Sequence, residues 1–316
     1  MFPIKNAKRF VLPKTLDPIF LFEEGIKMYL PDFDYYAPDS LAETCEALER
    51  FGSKAMVLAG GTDVIPKMKE GRLTPEILIS LKKLDDLTKI EYVPGKGVVI
   101  GARATHNDLV NSPILNDKYL SVSEAAHHMA SNQIRNIGTV GGNLGSAVPS
   151  ADLPPILIAL GATIKLVGTN GERRMLLEDL FTGPMKTLMF HNEILTEIVI
   201  PDQASTGSNY IKFGLRRSGA LAVVGLAVAV TVNGDTITEA RITIGAAAPT
   251  PIRARETENF LRGKTISDDL LAEAGVIASG ESKPISDIRG SAEYRRDLIR
   301  VFTRRALRKA INEGHV

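Results

Sequence analysis

Cysteine is nearly absent from this sequence of 316 residues, which contains only Cys45. A single thiol excludes a disulfide within the chain, a four-cysteine zinc site and an iron–sulfur cluster held by this chain alone. Cys45 lies at an apolar position of a helical pattern over residues 41–51, so we predict a buried helical residue rather than a reactive thiol. His127 and His128 are adjacent and would point to different helix faces, so no metal site is predicted.

The chain also lacks an excess of charge and a long apolar run. Lys and Arg number 38 against 37 Asp and Glu, which gives no indication of a surface for nucleic acid or anionic membrane. The longest apolar stretch, residues 220–232, is too short to cross a bilayer. The N-terminus has no compact apolar region of the kind that secretory signals contain, so we predict a cytoplasmic protein.

Two common nucleotide-binding motifs are missing as well. The sequence contains no G-x-x-x-x-G-K-[ST], which disfavours a P-loop enzyme, and no G-x-G-x-x-G after a strand, which disfavours an ordinary Rossmann site. Two other glycine-rich segments are present. Gly60-Gly61-Thr62-Asp63 follows a predicted buried strand over residues 55–59, and residues 138–145 contain four glycines in a predicted loop.

The two segments together indicate an anion site. Adjacent glycines let backbone N–H groups approach a ligand, and successive amides before a helix form a concavity that binds phosphate. Two such loops on one domain could hold a diphosphate between them, whereas either loop alone would be an ordinary tight connection. The carboxylate of Asp63 would repel phosphate, so we expect it to cap the helix that follows.

The pattern of predicted elements divides the chain into three parts. Residues 1–32 contain four prolines and form an N-terminal extension, either disordered or docked on a partner, and the apolar residues 18–22 slightly favour docking. Residues 33–201 form one domain with a division near residues 88–92, and residues 202–316 form a second domain of strands followed by helices. Its last helix, over residues 294–312, has a basic face. The pattern favours a face exposed to solvent over a docking surface for a partner. This face consists of Arg295, Arg296, Arg300, Arg304, Arg305 and Arg308.

Three motifs carry a resemblance to a known family. AGGTD at residues 59–63, QIRNIGTVGGN at residues 133–143 and ADLPP at residues 151–155 resemble the FAD-binding subunits and domains of molybdenum hydroxylases. That family includes xanthine dehydrogenase, carbon monoxide dehydrogenase and 4-hydroxybenzoyl-CoA reductase. The resemblance covers residue 33 to the C-terminus and implies an α+β fold. A two-subdomain FAD-binding domain of the vanillyl-alcohol oxidase (PCMH) type would be followed by a smaller α+β C-terminal domain of the CO dehydrogenase flavoprotein type.

The resemblance implies noncovalent FAD and a set of residues that binds it. The first segment and the second would hold the diphosphate from opposite sides. Asp152 would bind the adenosine half, with capping of the next helix as a compatible second role. Ile194 and Leu195 would line the isoalloxazine ring, and Lys212 would lie near its pyrimidine end and raise its reduction potential, although by itself Lys212 is typical of a solvent-facing strand lysine. No catalytic residue is implied. The full set is Val57, Leu58, Ala59, Gly60, Gly61, Thr62, Asp63, Val64, Met129, Ile134, Gly138, Thr139, Gly141, Gly142, Asn143, Gly145, Asp152, Ile194, Leu195 and Lys212.

The implied function is electron transfer within a larger enzyme. This chain would be the medium subunit, passing electrons between the [2Fe–2S] clusters of a small subunit and an external acceptor, while a large subunit carries molybdenum–pterin. Such heterotrimers could pair into dimers. The 4-hydroxybenzoyl-CoA reductase type has an extra iron–sulfur cluster after the second segment, but no cysteine lies between Asn143 and Asp152 here, so that cluster is absent. Two alternatives stay open: a free-standing flavin oxidase or dehydrogenase of similar fold, and a non-catalytic nucleotide-binding scaffold.

Overall fold

The first sheet of the molecule includes a strand from the N-terminal extension. The structure, a computed structural model, describes residues 8–10, 30–202, 206–216 and 218–313. Strand β1 (Lys8–Phe10) pairs antiparallel with β2 (Phe33–Tyr36) of the same chain, so the expectation of an extension that is disordered or docked on a partner is wrong for this part. The predicted docking patch at residues 18–22 lies outside the described residues.

A four-stranded sheet forms the first layer. After β2 come helix α1 (Leu41–Phe51), strand β3 (Ala55–Leu58), helix α2 (Val64–Lys69) and strand β4 (Ile77–Ser80). The strand order is β1-β2-β4-β3, with β4 parallel to both of its neighbours. Cys45 of α1 is buried, as predicted. Strand β3 is only half-buried, contrary to expectation, because it lies at the edge of the sheet.

A five-stranded antiparallel sheet forms the second layer. In chain order the elements are β5 (Ile90–Val93), β6 (Gly97–Gly101), α3 (His106–Val110), α4 (Pro113–Lys118), α5 (Leu120–His127), α6 (Asn132–Arg135), α7 (Val140–Ser146), α8 (Leu153–Ala159), β7 (Thr163–Gly168), β8 (Gly171–Leu176), β9 (Phe181–Gly183), β10 (Lys186–Thr187) and β11 (Ile194–Ile200). The strand order in the sheet is β5-β6-β11-β7-β8, and β9 and β10 form a separate two-stranded ribbon. Helix α8 is buried along its whole length, and Gly161, with φ +73°, follows its end.

Helix α7 replaces most of the loop predicted over residues 138–145. Thr139 begins the helix, because its Oγ1 accepts a hydrogen bond from the N–H of Gly142 at 3.1 Å. Glycine disfavours a helix by about 1 kcal/mol relative to alanine. Close packing outweighs this helix preference and requires glycine here, since a Cβ on Gly141 would stand 2.8 Å from the carbonyl oxygen of Ala102. Tertiary contact therefore turns a glycine-rich loop sequence into a helix.

The C-terminal part packs helices on an antiparallel sheet. In chain order its elements are β12 (Thr206–Phe213), β13 (Val224–Asn233), β14 (Thr236–Gly245), β15 (Ile252–Arg253), α9 (Arg255–Leu261), β16 (Lys264–Thr265), α10 (Asp268–Glu281) and α11 (Ala292–Glu313). The strand order in the sheet is β12-β13-β14-β15, with β16 also beside β14. Helix α8 of the preceding part packs on β13 and β14, and a Cβ on Gly245 would stand 2.6 Å from Cγ of Pro155. No helix in the described residues is long and apolar enough to span a bilayer.

Arg295 of α11 is not part of a solvated basic face. Its side chain is 3% exposed, and its guanidinium donates to Asp287 at 2.6 Å and to the carbonyl oxygens of Val223 and Ala246. Burial raises the pKa of Asp287, but hydrogen bonds from the N–H of Arg289 and the guanidiniums of Arg295 and Arg289 outweigh it and lower the pKa to about 2. The pair therefore fixes the turn before α11 to the sheet.

We expect Asp287→Asn to lower the free energy of unfolding by about 2 kcal/mol at neutral pH, because it weakens a charge-assisted hydrogen bond to a buried guanidinium. A lowered pKa contributes stability above the unfolded-state pKa of about 4, and that contribution is lost as pH falls through the folded-state value. Urea unfolding of wild type and variant should therefore converge between pH 4 and pH 2. Asp297→Asn is the control, since Asp297 is 71% exposed and should change stability by less than about 0.5 kcal/mol. Equal effects of the two variants would contradict this account.

Candidate cofactor-binding cleft

A cleft of about 560 Å³ lies where the two sheets and the C-terminal part meet. Its wall includes the turn after β3, the segment from Met129 to Asp152, the start of β11 and residues 219–221. Every residue of the implied FAD-binding set lines this cleft except Leu58 and Lys212. Leu58 packs beneath the turn instead, with its Cδ1 3.0 Å from the position of a Cβ on Gly61. The segments that the sequence singled out thus meet at one place.

The two glycine-rich segments are in direct backbone contact. A Cβ on Gly60 would stand 2.8 Å from the carbonyl carbon of Ile137 and closer still to its oxygen, so only glycine fits there. A second link joins the segments, because Ser146 Oγ donates to Asp63 Oδ2 at 2.6 Å. Asp63 makes no side-chain cap on α2, so the predicted capping role is wrong. Its carboxylate ties the first segment to the second.

The two segments present different chemistry to the cleft. In the first segment, the N–H groups of Gly60, Gly61, Thr62 and Asp63 have no acceptor among the described residues. They are therefore available to a ligand, as expected for an anion site.

Most amides of the second segment already have acceptors within the protein, whereas the N–H of Thr139 has none among the described residues. The N–H of Val140 donates to Ala104 O at 2.9 Å, and the N–H of Gly141 donates to Ala102 O at 2.8 Å. Thr139 accepts from Gly142 through its side chain and from Asn143 through its carbonyl oxygen. The expectation that backbone amides of both segments hold the diphosphate is thus wrong for most of the second segment. Because most of this segment is helical, it offers glycine surfaces and side chains, and the N–H of Thr139 is its one amide without an acceptor among the described residues.

Asn143 provides a test of whether the cleft suits FAD. Its Oδ1 is buried and has no partner among the described residues, while its Nδ2 lies 3.6 Å from Met129 Sδ. A buried acceptor without a donor is unfavourable by about 1–3 kcal/mol. FAD carries hydroxyl and N–H donors as well as the diphosphate that the amides of the first segment would bind. The residues present therefore fit this cofactor.

A buried ion pair lies at the wall of the cleft. Asp152 Oδ2 accepts from Lys212 Nζ and Asp152 Oδ1 accepts from the Tyr210 hydroxyl, both at 2.8 Å. The side chains of Lys212 and Asp152 are 8% and 5% exposed. Burial raises the pKa of Asp152, whereas Lys212 and Tyr210 stabilise its charged form. Lys212 is thus not a solvent-facing lysine.

The ion pair corrects two further expectations. Asp152 makes no side-chain cap on α8, although it precedes that helix. Asp152 and Lys212 were expected at opposite ends of the cofactor, yet they are in contact, so both assignments cannot hold for an extended dinucleotide. Asp152 and Lys212 therefore belong to the same place in the wall of the cleft.

The backbone of residues 128–130, a corner of the chain before the second segment, accepts three hydrogen bonds. Lys212 Nζ donates to His128 O at 2.9 Å, Arg135 Nη1 to Met129 O at 2.9 Å, and the N–H of Gly219 to Ala130 O at 3.0 Å. Ala130 has φ +42°, a left-handed conformation that is unfavourable for a residue with a Cβ. The three hydrogen bonds hold this corner against the cleft, and two of them come from the C-terminal part.

His106 is a cleft residue that the sequence did not single out. It is 1% exposed and its Nδ1 has no partner among the described residues. Burial and the nearby charge of Arg135 lower its pKa to about 4, so the imidazole is neutral at physiological pH. No sequence signal marks it, because its position against Gly138 depends on tertiary packing. The same holds for other cleft residues that were missed, among them Lys67, Ala102, Ser146, Met185, Thr187, Met189, Ala220 and Leu221.

Two family models match the chain. One, described as the FAD binding domain in molybdopterin dehydrogenase, matches residues 31–203. The other, described as the CO dehydrogenase flavoprotein C-terminal domain, matches residues 209–310. The predicted α+β fold, an FAD-binding domain followed by a smaller C-terminal domain, is confirmed.

This chain is similar to several known proteins over nearly the whole length of each of them. The carbon monoxide dehydrogenase medium chain of Hydrogenophaga pseudoflava is 36% identical over 284 residues, which are 90% of this chain and 98% of that protein. The glyceraldehyde dehydrogenase medium chain of Sulfolobus acidocaldarius is 33% identical over 282 residues, 89% of this chain and 99% of that protein. Among solved structures, carbon monoxide dehydrogenase from Hydrogenophaga pseudoflava has a TM-score of 0.87 at 36% identity, covering 90% of this chain and 99% of that chain. Quinoline 2-oxidoreductase from Pseudomonas putida 86 has a TM-score of 0.86 at 29% identity, covering 92% and 100%.

We expect Gly60→Ala to abolish FAD binding, because its Cβ would push the first segment away from Ile137 and displace the free amides. The purified variant should contain less than about a tenth of the flavin per chain that wild type contains, a loss corresponding to at least about 1.4 kcal/mol of binding free energy. Flavin absorbance after gel filtration measures this loss.

Gly280→Ala is the matched control for this substitution. Gly280 lies in α10, and nothing stands within 4 Å of its added Cβ. Flavin content should be unchanged, and stability should rise by about 0.5–1 kcal/mol because alanine favours a helix. Full flavin content in Gly60→Ala would contradict the proposed contact.

Proposed function

This chain belongs to the family of FAD-binding medium subunits of molybdenum hydroxylases, and we propose that it passes electrons between the iron–sulfur clusters of a partner subunit and an acceptor outside the complex. It is an oxidoreductase component with an FAD-binding domain and a C-terminal domain. One observation carries the proposal: two glycine-rich segments meet at one cleft, and one of them has four consecutive N–H groups without acceptors among the described residues.

The cleft residues would hold FAD through complementary groups. The free amides of residues 60–63 would bind the diphosphate, because oriented N–H dipoles stabilise negative charge. Asn143 would accept a hydrogen bond from the cofactor through Oδ1, and Asp152 would accept another at the ion pair. Bound FAD supplies redox chemistry that exchanges electrons singly or in pairs.

The side chains of this chain bind and orient rather than transfer protons. His106 is neutral at physiological pH and buried, so it is suited to hydrogen bonding and not to carrying charge. The ammonium of Lys212 lies 2.8 Å from the carboxylate of Asp152. Because the pair is neutral as a whole, it should change the flavin's reduction potential less than an isolated ammonium would. The pair therefore serves mainly to bind and orient the cofactor.

The partners are proposed from chemistry that this chain lacks. Its one cysteine, Cys45, is buried and cannot hold an iron–sulfur cluster alone. A small subunit would carry two [2Fe–2S] clusters and a large subunit would carry the molybdenum–pterin cofactor, in a cytoplasmic heterotrimer that could form dimers. The relatives named medium chain support this arrangement. The domain limits at residues 33–201 and 202–316, with a division near residues 88–92, stay a proposal.

Native mass spectrometry of the assembly purified from its source, combined with metal and flavin analysis, tests the proposal. We expect this chain with two further subunits, one FAD per chain, and iron and molybdenum on the others. A complex assembled with Gly60→Ala should keep its iron and molybdenum but lose at least about tenfold in the rate of reducing its external acceptor. Gly280→Ala should match wild type. A monomer that oxidises an organic substrate without molybdenum, or a colourless chain, would overturn the proposal.

A further inference from the structure

Tyr210 is a buried tyrosine below the wall of the cleft, and the proposed function does not use it. It lies on β12 and is 4% exposed, and its hydroxyl donates to Asp152 Oδ1 at 2.8 Å. The neighbouring strand leaves room for the ring, because a Cβ on Gly225 would stand 2.8 Å from the Tyr210 hydroxyl. The phenol therefore occupies a space that exists because residue 225 on the neighbouring strand is glycine.

We propose that Tyr210 is a positioning residue for the cofactor: with Lys212, it fixes both oxygens of Asp152 so that the carboxylate faces the cleft in one orientation. The inference rests on the proposed function, since it requires FAD to occupy the cleft. Tyr210 itself does not line the cleft, so its effect passes through Asp152.

The geometry accounts for the orientation. A carboxylate has two oxygens with about four acceptor positions between them. Tyr210 and Lys212 each use one position, on different oxygens, so further acceptor positions are left on Asp152, which lines the cleft. The final torsion of an aspartate is otherwise broad, so one anchor would leave the carboxylate free to turn. Two anchors on two oxygens hold its plane.

The charges around Asp152 explain why the hydroxyl matters for ionisation as well. Lys212 and Tyr210 approach from β12, and His128 lies at the end of α5. Burial raises the pKa of Asp152, and Lys212, Tyr210 and His128 oppose this effect. Burial also lowers the pKa of His128, aided by His127 and Lys212, so this imidazole adds little positive charge at neutral pH. Removing the Tyr210 hydroxyl should therefore raise the pKa of Asp152 further.

Tyr210 is itself a permanent donor. Burial and the charge of Asp152 raise its pKa well above 10.0, so the phenol keeps its proton throughout the physiological range. Protonated Asp152 would lose acceptor capacity toward the cofactor. A shift of one pKa unit corresponds to a tenfold change in the equilibrium between the two forms. Loss of the hydroxyl should thus weaken FAD binding more at acidic pH than at alkaline pH.

The test is titration of the full-length apo-chain with FAD between pH 5.5 and pH 8, followed by flavin fluorescence. For Tyr210→Phe, we expect the Kd to rise about threefold at pH 8 and at least about tenfold at pH 5.5 relative to wild type. Tyr119→Phe is the matched control. Tyr119 is 8% exposed and its hydroxyl donates to Pro201 O at 2.8 Å, away from Asp152. Its FAD affinity should follow wild type at every pH.

A second variant tests the role of the carboxyl if Tyr210→Phe does not fold. Asp152→Asn removes the titrating group, so its affinity for FAD should be weaker than that of wild type and should vary less with pH. A Tyr210→Phe Kd that is unchanged, or raised equally at every pH, would overturn the inference, as would an Asp152→Asn variant with the pH profile of wild type. Failure of wild type to bind FAD at any pH would instead overturn the proposed function.

Discussion

The cleft depends on the contact between the backbone of Gly60 and the carbonyl group of Ile137. The first glycine-rich segment ends a parallel strand of one sheet, and the second begins a short helix that packs against the other sheet. No side chain separates them at this point, so the free amides of the first segment and the side chains of the second line the same cleft. A single methyl group on Gly60 would force the two segments apart, because the atoms it would meet are backbone atoms and cannot rotate away.

The ion pair of Asp152 and Lys212 connects the cleft to the C-terminal part of the molecule. Asp152 precedes α8, whereas Lys212 and Tyr210 belong to β12. A buried charge without its partner is strongly unfavourable, so the pair favours the assembled arrangement of the two parts. The N–H of Gly219 adds a link to Ala130. Binding at the cleft and packing of the C-terminal sheet are therefore linked energetically.

Local patterns in the sequence predicted the helices and strands well, because periodicity, caps and turn residues act over a few positions. Helix α1, which the apolar pattern predicted over residues 41–51, is an example. The resemblance located half of the residues that line the cleft for a similar reason, since those residues lie in short motifs. Long-range contacts explain the errors. The packing of Gly141 on Ala102, the bond from Ser146 to Asp63 and the burial of Arg295 all depend on partners distant in the chain.

Strand β1 has a consequence for the outer rim of the first sheet. By pairing with β2, residues 8–10 satisfy a row of backbone groups that would otherwise be open to another polypeptide. An unpaired strand at that position would be a template for intermolecular pairing and for aggregation during synthesis. The edge of the sheet is then formed by β1, a strand of only three residues, and a short edge strand is a poor template for such pairing.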